Sequence, residues 1–266
     1  MEYSPYNAKN KALKIEDIEK ILHSHGLPGY QVKNARLFQE SMVHTSYVLR
    51  KDGYTTPTGQ VAVLAPCPDG VLKLQDSSYE RNEFLGDSML GASVSNYIWE
   101  RFPDADPGFL TDLRKKIVNN KTLGGICQKL GLDAFYVISR HVEESCAGRI
   151  NLEKLGDVME AFLAALWKDC GHDFTLFHKA VTTIIEKHLK ITQLLLKNEN
   201  YKDQFQKHCQ KHLKYTPTYT MIASVNGEFT MAVIDPSGKH LGIGRATTKQ
   251  QAEQNACKEA LKEIHD

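Results

Sequence analysis

The stretch that decides the fold is Tyr79-Glu-Arg-Asn-Glu-Phe-Leu-Gly-Asp-Ser-Met-Leu90. Within it Glu80, Glu83 and Asp87 stand three and then four residues apart. At roughly 100° per residue, that spacing sets all three carboxylates on one stripe of a helix. Phe84 and Leu85 turn away from the stripe, and Gly86, having no β-carbon, lets another element approach the backbone closely. Three like charges on one stripe repel one another, so such a helix is locally unfavourable until a positive counter-ion joins it. Carboxylate-rich sites of this kind suit hard divalent cations such as magnesium. On spacing alone a solvated acidic face is the commoner outcome. The string as a whole is far more specific.

A second pair of acids lies downstream. Asp157 and Glu160, three apart, share one face of a largely apolar helix predicted over 152–168 (Leu155, Val158, Ala161, Phe162, Ala165, Leu166). Carboxylates on a mostly buried helix need a partner, because an unpaired buried charge is costly.

Glu80-Arg-Asn-Glu-Phe-Leu-Gly-Asp-Ser-Met-Leu90 closely resembles the signature of the ribonuclease III family, which cleaves double-stranded RNA; Asn82 stands where leucine is usual. Gly156-Asp-Val-Met-Glu-Ala161 resembles the family's second acidic motif, and Thr111 to Leu123 is also similar to its domain. Val43-His-Thr-Ser46 resembles its Thr-His-x-Ser, with Val43 replacing threonine. The resemblance implies a divalent-metal-dependent endoribonuclease that leaves 5′-phosphate and 3′-hydroxyl ends with short 3′ overhangs. Magnesium is the expected ion, with manganese as a substitute. Glu83, Asp87, Asp157 and Glu160 are the implied metal ligands. The catalytic roles fall on Asp87, Glu160 and Glu80, with Glu80 as an outer ligand or charge partner. His44 is expected to position or cap within the core rather than act as a base. Many family members place a glutamate before the glycine of the loop at 102–108; here that residue is Pro107, and Asp104 or Asp106 either substitutes or leaves the contact absent. A basic cluster (Arg114, Lys115, Lys116, Lys121) is a solvated face by default, and the resemblance makes it a candidate for phosphates. One chain carries one set of acidic motifs, so cutting both strands implies a homodimer.

The expected architecture is mostly α. Residues 1–14 read as a loose polar arm, and 15–196 as an all-helical catalytic domain. Helices are predicted from Ile15 to His25, around Ala35 to Met42, through the signature, over 110–118, 121–130 and 152–168, and from Phe174 to about Leu196. His172-Asp173 reads as a turn before that last helix. The segment 49–77 is an insertion. Val61–Leu64 and Val71–Leu74 flank Pro66-Cys-Pro-Asp-Gly70, which predicts a β-hairpin around a tight turn. Residues 197–201 form a polar joint.

From 202 to 266 the pattern is a small α+β domain of order α-β-β-β-α. Strands are predicted over 218–224, 228–234 and 240–245, with turns at Asn226-Gly227 and Pro236-Ser-Gly238 and a final helix capped by Thr248. Pro217-Thr-Tyr219 and Gly244-x-Ala-x-Thr-Lys-Gln-Gln-Ala-Glu-Gln254 resemble a double-stranded RNA-binding domain. Such domains read A-form shape through minor-groove and phosphate contacts. The implied RNA-binding positions are Gln206, Lys249 and Gln250. The basic cluster opening the second helix is reduced to Lys249, and the 225–228 loop lacks the usual histidine, so weak binding reinforced by dimer avidity is expected.

Composition sets the outer bounds. A net charge of +1 gives no bulk nucleic-acid signal, so any RNA surface is a local patch. The 6 cysteines form no Cys-x-x-Cys pair, which argues against a zinc site or disulfide framework and fits a reducing compartment. No signal-peptide core or membrane-length apolar run is present, so a soluble intracellular protein is expected. A carboxylate-bridged di-iron oxidase needs Glu-x-x-His pairs, but Glu83 is followed three on by Gly86 and Glu160 by Leu163. The serious alternative is a catalytically silent protein that sequesters duplex RNA.

Overall fold

A computed structural model describes residues 2–50, 52–55, 61–196 and 201–265. The chain divides into two compact units, Met1–Leu194 and Leu195–Asp266, each with its own core.

The first unit is built on helices. In its small sheet β1 (Glu2–Tyr3) and β2 (Tyr54–Thr55) lie on either side of β3 (Val61–Leu64), giving the order β1-β3-β2. The helices are α1 (Ile15–Ser24), α2 (Ala35–Glu40), α3 (Glu80–Arg101), α4 (Pro107–Val118), α5 (Asn120–Lys129), α6 (Arg140–Ser145), α7 (Leu152–Asp169) and α8 (Phe174–His188). A further helix, α9 (Ile191–Leu196), reaches the boundary between the units. Helix α7 is the axis of the unit. Asn151 caps its start by accepting from the Glu153 and Lys154 amides, and every residue from Leu155 to Leu166 is buried. That all-round burial matches a helix apolar on most faces. At its far end the buried Asp169 carboxylate accepts from the Tyr30 hydroxyl at 2.8 Å and from the Lys33 and Asn34 amides, which fixes the turn leading into α2.

Three expectations change. The residues before α1 are not a loose arm. β1 pairs in parallel with β3, Asn7 and Asn10 both donate to the Ile138 carbonyl, and Leu13 is buried. Two buried amides and an apolar anchor hold this stretch. The expected hairpin between 61–64 and 71–74 does not form either. β3 instead pairs antiparallel with β2, and the Tyr3 and Tyr54 rings stack at 4.9 Å. With β1 on one edge and β2 on the other, β3 has no free edge for a returning strand. Residues 71–75 run past Tyr47 instead, whose hydroxyl donates to the Leu72 carbonyl at 2.6 Å. Residues 51 and 56–60 of the insertion lie outside the described residues, as do 197–200 of the expected joint. Finally, the helix expected over 174–196 is two helices. Leu189 is extended (φ −115°, ψ 129°), and the Lys129 ammonium donates to the His188 carbonyl at 2.8 Å. A cation on the freed C-terminal carbonyls stabilises an early stop.

The second unit starts with α10 (Tyr201–His208), which runs into a π-helical turn at Cys209–Leu213. An antiparallel sheet follows in the order β4-β5-β6 (Thr218–Val225, Glu228–Ile234, His240–Ala246), and α11 (Lys249–His265) covers it. Asn226 and Gly227 both have positive φ, 52° and 80°, the backbone of a two-residue hairpin turn whose twist suits the strands. Phe205, Val233, Ala256, Cys257 and Ala260 form the core. Among the described residues no helix is long and apolar enough to cross a membrane.

Candidate metal centre

Helices α3 and α7 meet where their acids lie. A β-carbon built on Gly86 would fall 1.9 Å from the Glu160 carbonyl oxygen, so only glycine permits this approach. The approach brings Glu83 of α3 beside Asp157 and Glu160 of α7, each offering one oxygen within 4.8 Å of the others. Asp157 and Glu160 are nearly inaccessible, at 6% and 5% exposure.

Asp157 is held from three sides. The Asn120 side-chain amide donates to Oδ1 at 2.5 Å. The Lys154 ammonium donates to Oδ2 at 3.0 Å and the Tyr79 hydroxyl to the same atom at 3.3 Å. Asn120 reaches it because α5 begins there, under a cap made by Asn119 on the Thr122 amide, and because Gly156 of α7 leaves room for the Asn120 backbone. Among the described residues no cation pairs with Glu160. Burial first, and then the charges of Asp87, Asp157 and Glu83, push its carboxyl up to about 8. Burial and Asp157 likewise raise Glu83. Crowded carboxylates of this kind take up either a proton or a cation. The donor set is entirely carboxylate oxygen, which fits a hard divalent ion.

The two remaining acids of the signature sit at the rim. Glu80, Glu83, Asp87, Ser88, Asn120 and Glu160 line a cavity of about 350 Å³. Asp87 is exposed and outside the tight trio, yet it is the largest charge influence on Glu160. Glu80 is also exposed and accepts from the Ser78 hydroxyl at 3.4 Å.

His44 has a structural place. Its Nδ1 accepts from the Ser46 amide at 3.1 Å, and its ring packs against Tyr79 and Tyr136 at 6.1 and 6.0 Å. Burial, and then the Lys154 charge, lower its pKa. Pro107 occupies the first turn of α4, and Asp106 caps that helix through the Phe109 amide at 2.9 Å. Its carboxylate is therefore already engaged. In the basic cluster, Lys116 donates to the Leu194 carbonyl at 3.0 Å and Arg114 to the Ser95 hydroxyl at 3.1 Å, while Lys121 pairs with Glu153 at 3.8 Å. In the second unit Lys249 and Gln250 are exposed at the start of α11, and Gln206 is half-buried on α10. Sequence reasoning did not single out Asn120, Tyr79 or Lys154. Only Lys154, three residues before Asp157, carried a readable signal, as an i,i+3 pair on one helix.

A model of the ribonuclease III domain matches residues 80–171, and one of the double-stranded RNA binding motif matches 201–264. Ribonuclease 3 of Chlorobium chlorochromatii is 30% identical over 257 residues, covering 92% of this chain and 91% of that protein. A probable ribonuclease 3 of Acanthamoeba polyphaga mimivirus is 30% identical over 261 residues, 96% of this chain, which spans only 46% of that longer relative. Among solved structures, the nuclease domain of ribonuclease III from Campylobacter jejuni superposes with a TM-score of 0.50 at 25% identity, covering 66% of this chain and 99% of that one.

Proposed function

This chain belongs to the ribonuclease III family and is a double-stranded RNA endoribonuclease, and we propose that Glu83, Asp157 and Glu160 hold its divalent cation, with Asp87 closing the site from the rim. The observation that carries this is the trio of carboxylates within 4.8 Å, two of them buried and mutually repelling. Oxygen-only donors and an open mouth favour magnesium, which keeps part of its water shell, and manganese substitutes. A divalent ion held there by Glu83, Asp157 and Glu160 would supply Lewis acidity for activating water and for charge on the leaving 3′ oxygen. Asn120, Lys154 and Tyr79 fix Asp157, so that carboxylate does not reorganise during the reaction. Lys154, half-exposed, keeps its positive charge beside Asp157 at the edge of the site. The products are fragments with 5′ phosphates and 3′ hydroxyls.

We also infer that two copies act together, each site cutting one strand and leaving short 3′ overhangs. Phe84 is 80% exposed on α3, beside a groove lined by Ser77, Ser78, Arg81, Leu85 and Lys168. We take this exposed aromatic and its groove as the surface where the two copies meet. The Campylobacter nuclease domain is described with a region involved in dimer formation. Gln206, Lys249 and Gln250 are assigned to the RNA duplex, with Lys249 and Gln250 at the positive end of α11.

End analysis tests the chemistry. A labelled duplex incubated with magnesium should yield 5′-phosphorylated fragments and nothing in chelator. Cyclic phosphate ends, or cutting in chelator, would overturn the metal-centred reading.

A further inference from the structure

Asn82 stands where the family signature usually has leucine, and it is 7% exposed. A polar side chain in that position needs a partner. Its amide donates to the Ser41 hydroxyl at 3.1 Å, and Ser41 is fully buried at 0% exposure. The Ser41 oxygen lies 2.7 Å from the Ala161 carbonyl and 3.0 Å from the Leu37 carbonyl of its own helix end. Accepting from Asn82 commits one lone pair, and the single hydroxyl proton goes to the nearer carbonyl, Ala161. The chain Asn82 to Ser41 to Ala161 thus links α3, the end of α2 and α7.

Its place matters more than its strength. Ala161 follows Glu160, and Asn82 precedes Glu83. The Glu160 carbonyl is already pressed against Gly86. Residues of α3 on either side of Glu83 thus meet two successive α7 carbonyls, Gly86 by close apposition to that of 160 and Asn82 through Ser41 to that of 161. We propose that Asn82 and Ser41 are positioning residues for the reaction, fixing the α7 backbone at Glu160 so that its carboxylate faces Glu83 in the metal-binding register. Neither side chain touches substrate. Each donor in the chain also polarises the next, so the two act as a unit.

This inference rests on the nuclease reading above. Its test uses the full chain with Asn82→Leu, Ser41→Ala and the double variant, reading three quantities. These are melting temperature, the single-turnover cleavage rate of a duplex, and the magnesium concentration giving half that rate. A displacement of well under 1 Å at a ligand predicts about tenfold loss of rate and a severalfold higher magnesium requirement in each single variant. The double variant should fall no further than the worse single. Ser41→Thr keeps the hydroxyl and should recover most of the magnesium response. Duplex binding in calcium should stay within twofold of wild type. Altered melting with an unchanged magnesium requirement would reduce the network to packing and overturn the proposal, as would wild-type rates in both singles. If Asn82→Leu does not fold, Ser41→Ala against Ser41→Thr makes the same comparison. Absence of cleavage by the wild-type chain would instead overturn the nuclease reading, and this inference with it.

Discussion

Gly86 on α3 and the carbonyl oxygen of Glu160 on α7 are in such close apposition that a β-carbon at Gly86 would lie 1.9 Å from that oxygen. The neighbour is backbone, which cannot swing aside. Gly86→Ala should force the helices apart and cost about 3 kcal/mol, the upper part of the range for an overpacked core. Urea unfolding measures the loss. Because the same separation pulls Glu83 from Glu160, cleavage at saturating RNA should fall at least about tenfold even where the variant remains folded.

The crowded acids predict a pH signature for the metal-free protein. Glu160 moves from 4.5 up to about 8 on folding, mainly through burial and then through Asp87. Between those values the folded state binds a proton that the unfolded state releases, so this group's contribution to stability declines as pH climbs from about 4.5 to about 8. Below that window the contribution is intact. Melting temperature in chelator should therefore decline across it more steeply for wild type than for Glu160→Gln. Magnesium competes with the same proton, so its apparent affinity should rise with pH and level off near 8.

Asp157 depends on its three donors unequally. Asn120 donates at 2.5 Å and Tyr79 at 3.3 Å. Asn120→Ala should raise the magnesium needed for half-maximal cleavage by about tenfold, within the range for groups that orient metal ligands. Tyr79→Phe removes the longer contact and should raise it only about threefold. A magnesium titration of single-turnover rates checks both, and equal effects would contradict the ranking.

The signature helix was legible because its chemistry is written in local spacing. Glu80, Glu83, Asp87 and Gly86 sit within one and a half to two turns, and the burial of α7 follows from its apolar run. The αβββα order of the second unit was legible for the same reason, down to the Asn226-Gly227 turn. What the sequence concealed was partner choice over long separations. Nothing local tells β3 to pair with residues 2–3 rather than with 71–74, and the buried amides of Asn7 and Asn10 look like ordinary polar loop residues until Ile138 is placed beside them. The stop at Leu189 depends on Lys129, a residue from a different helix. Asn120 and Tyr79 are likewise silent until the glycine-mediated contacts of α7 bring them to Asp157. Side chains that act through tertiary contacts leave no period to read.

Phe84 gives the assembly prediction. With 80% of its surface exposed on α3, its replacement by aspartate should cost little in monomer stability and shift sedimentation from dimer to monomer. The monomer should nick duplex RNA on single strands, if it cuts at all, rather than release double-stranded fragments. A Phe84→Asp variant that remains dimeric would refute this placement of the interface.

If the Glu83–Asp157–Glu160 trio holds the ion that cleavage needs, loss of Glu160 should abolish cutting and spare binding. The most direct measurement is digestion of a long labelled RNA duplex in magnesium by the wild-type chain and by Glu160→Ala, with duplex binding measured on both. Wild type should release short duplex products, and the variant should bind equally well and leave the duplex intact. Equal binding with no cutting by either protein, in magnesium or manganese, would contradict it and leave a duplex-RNA binder.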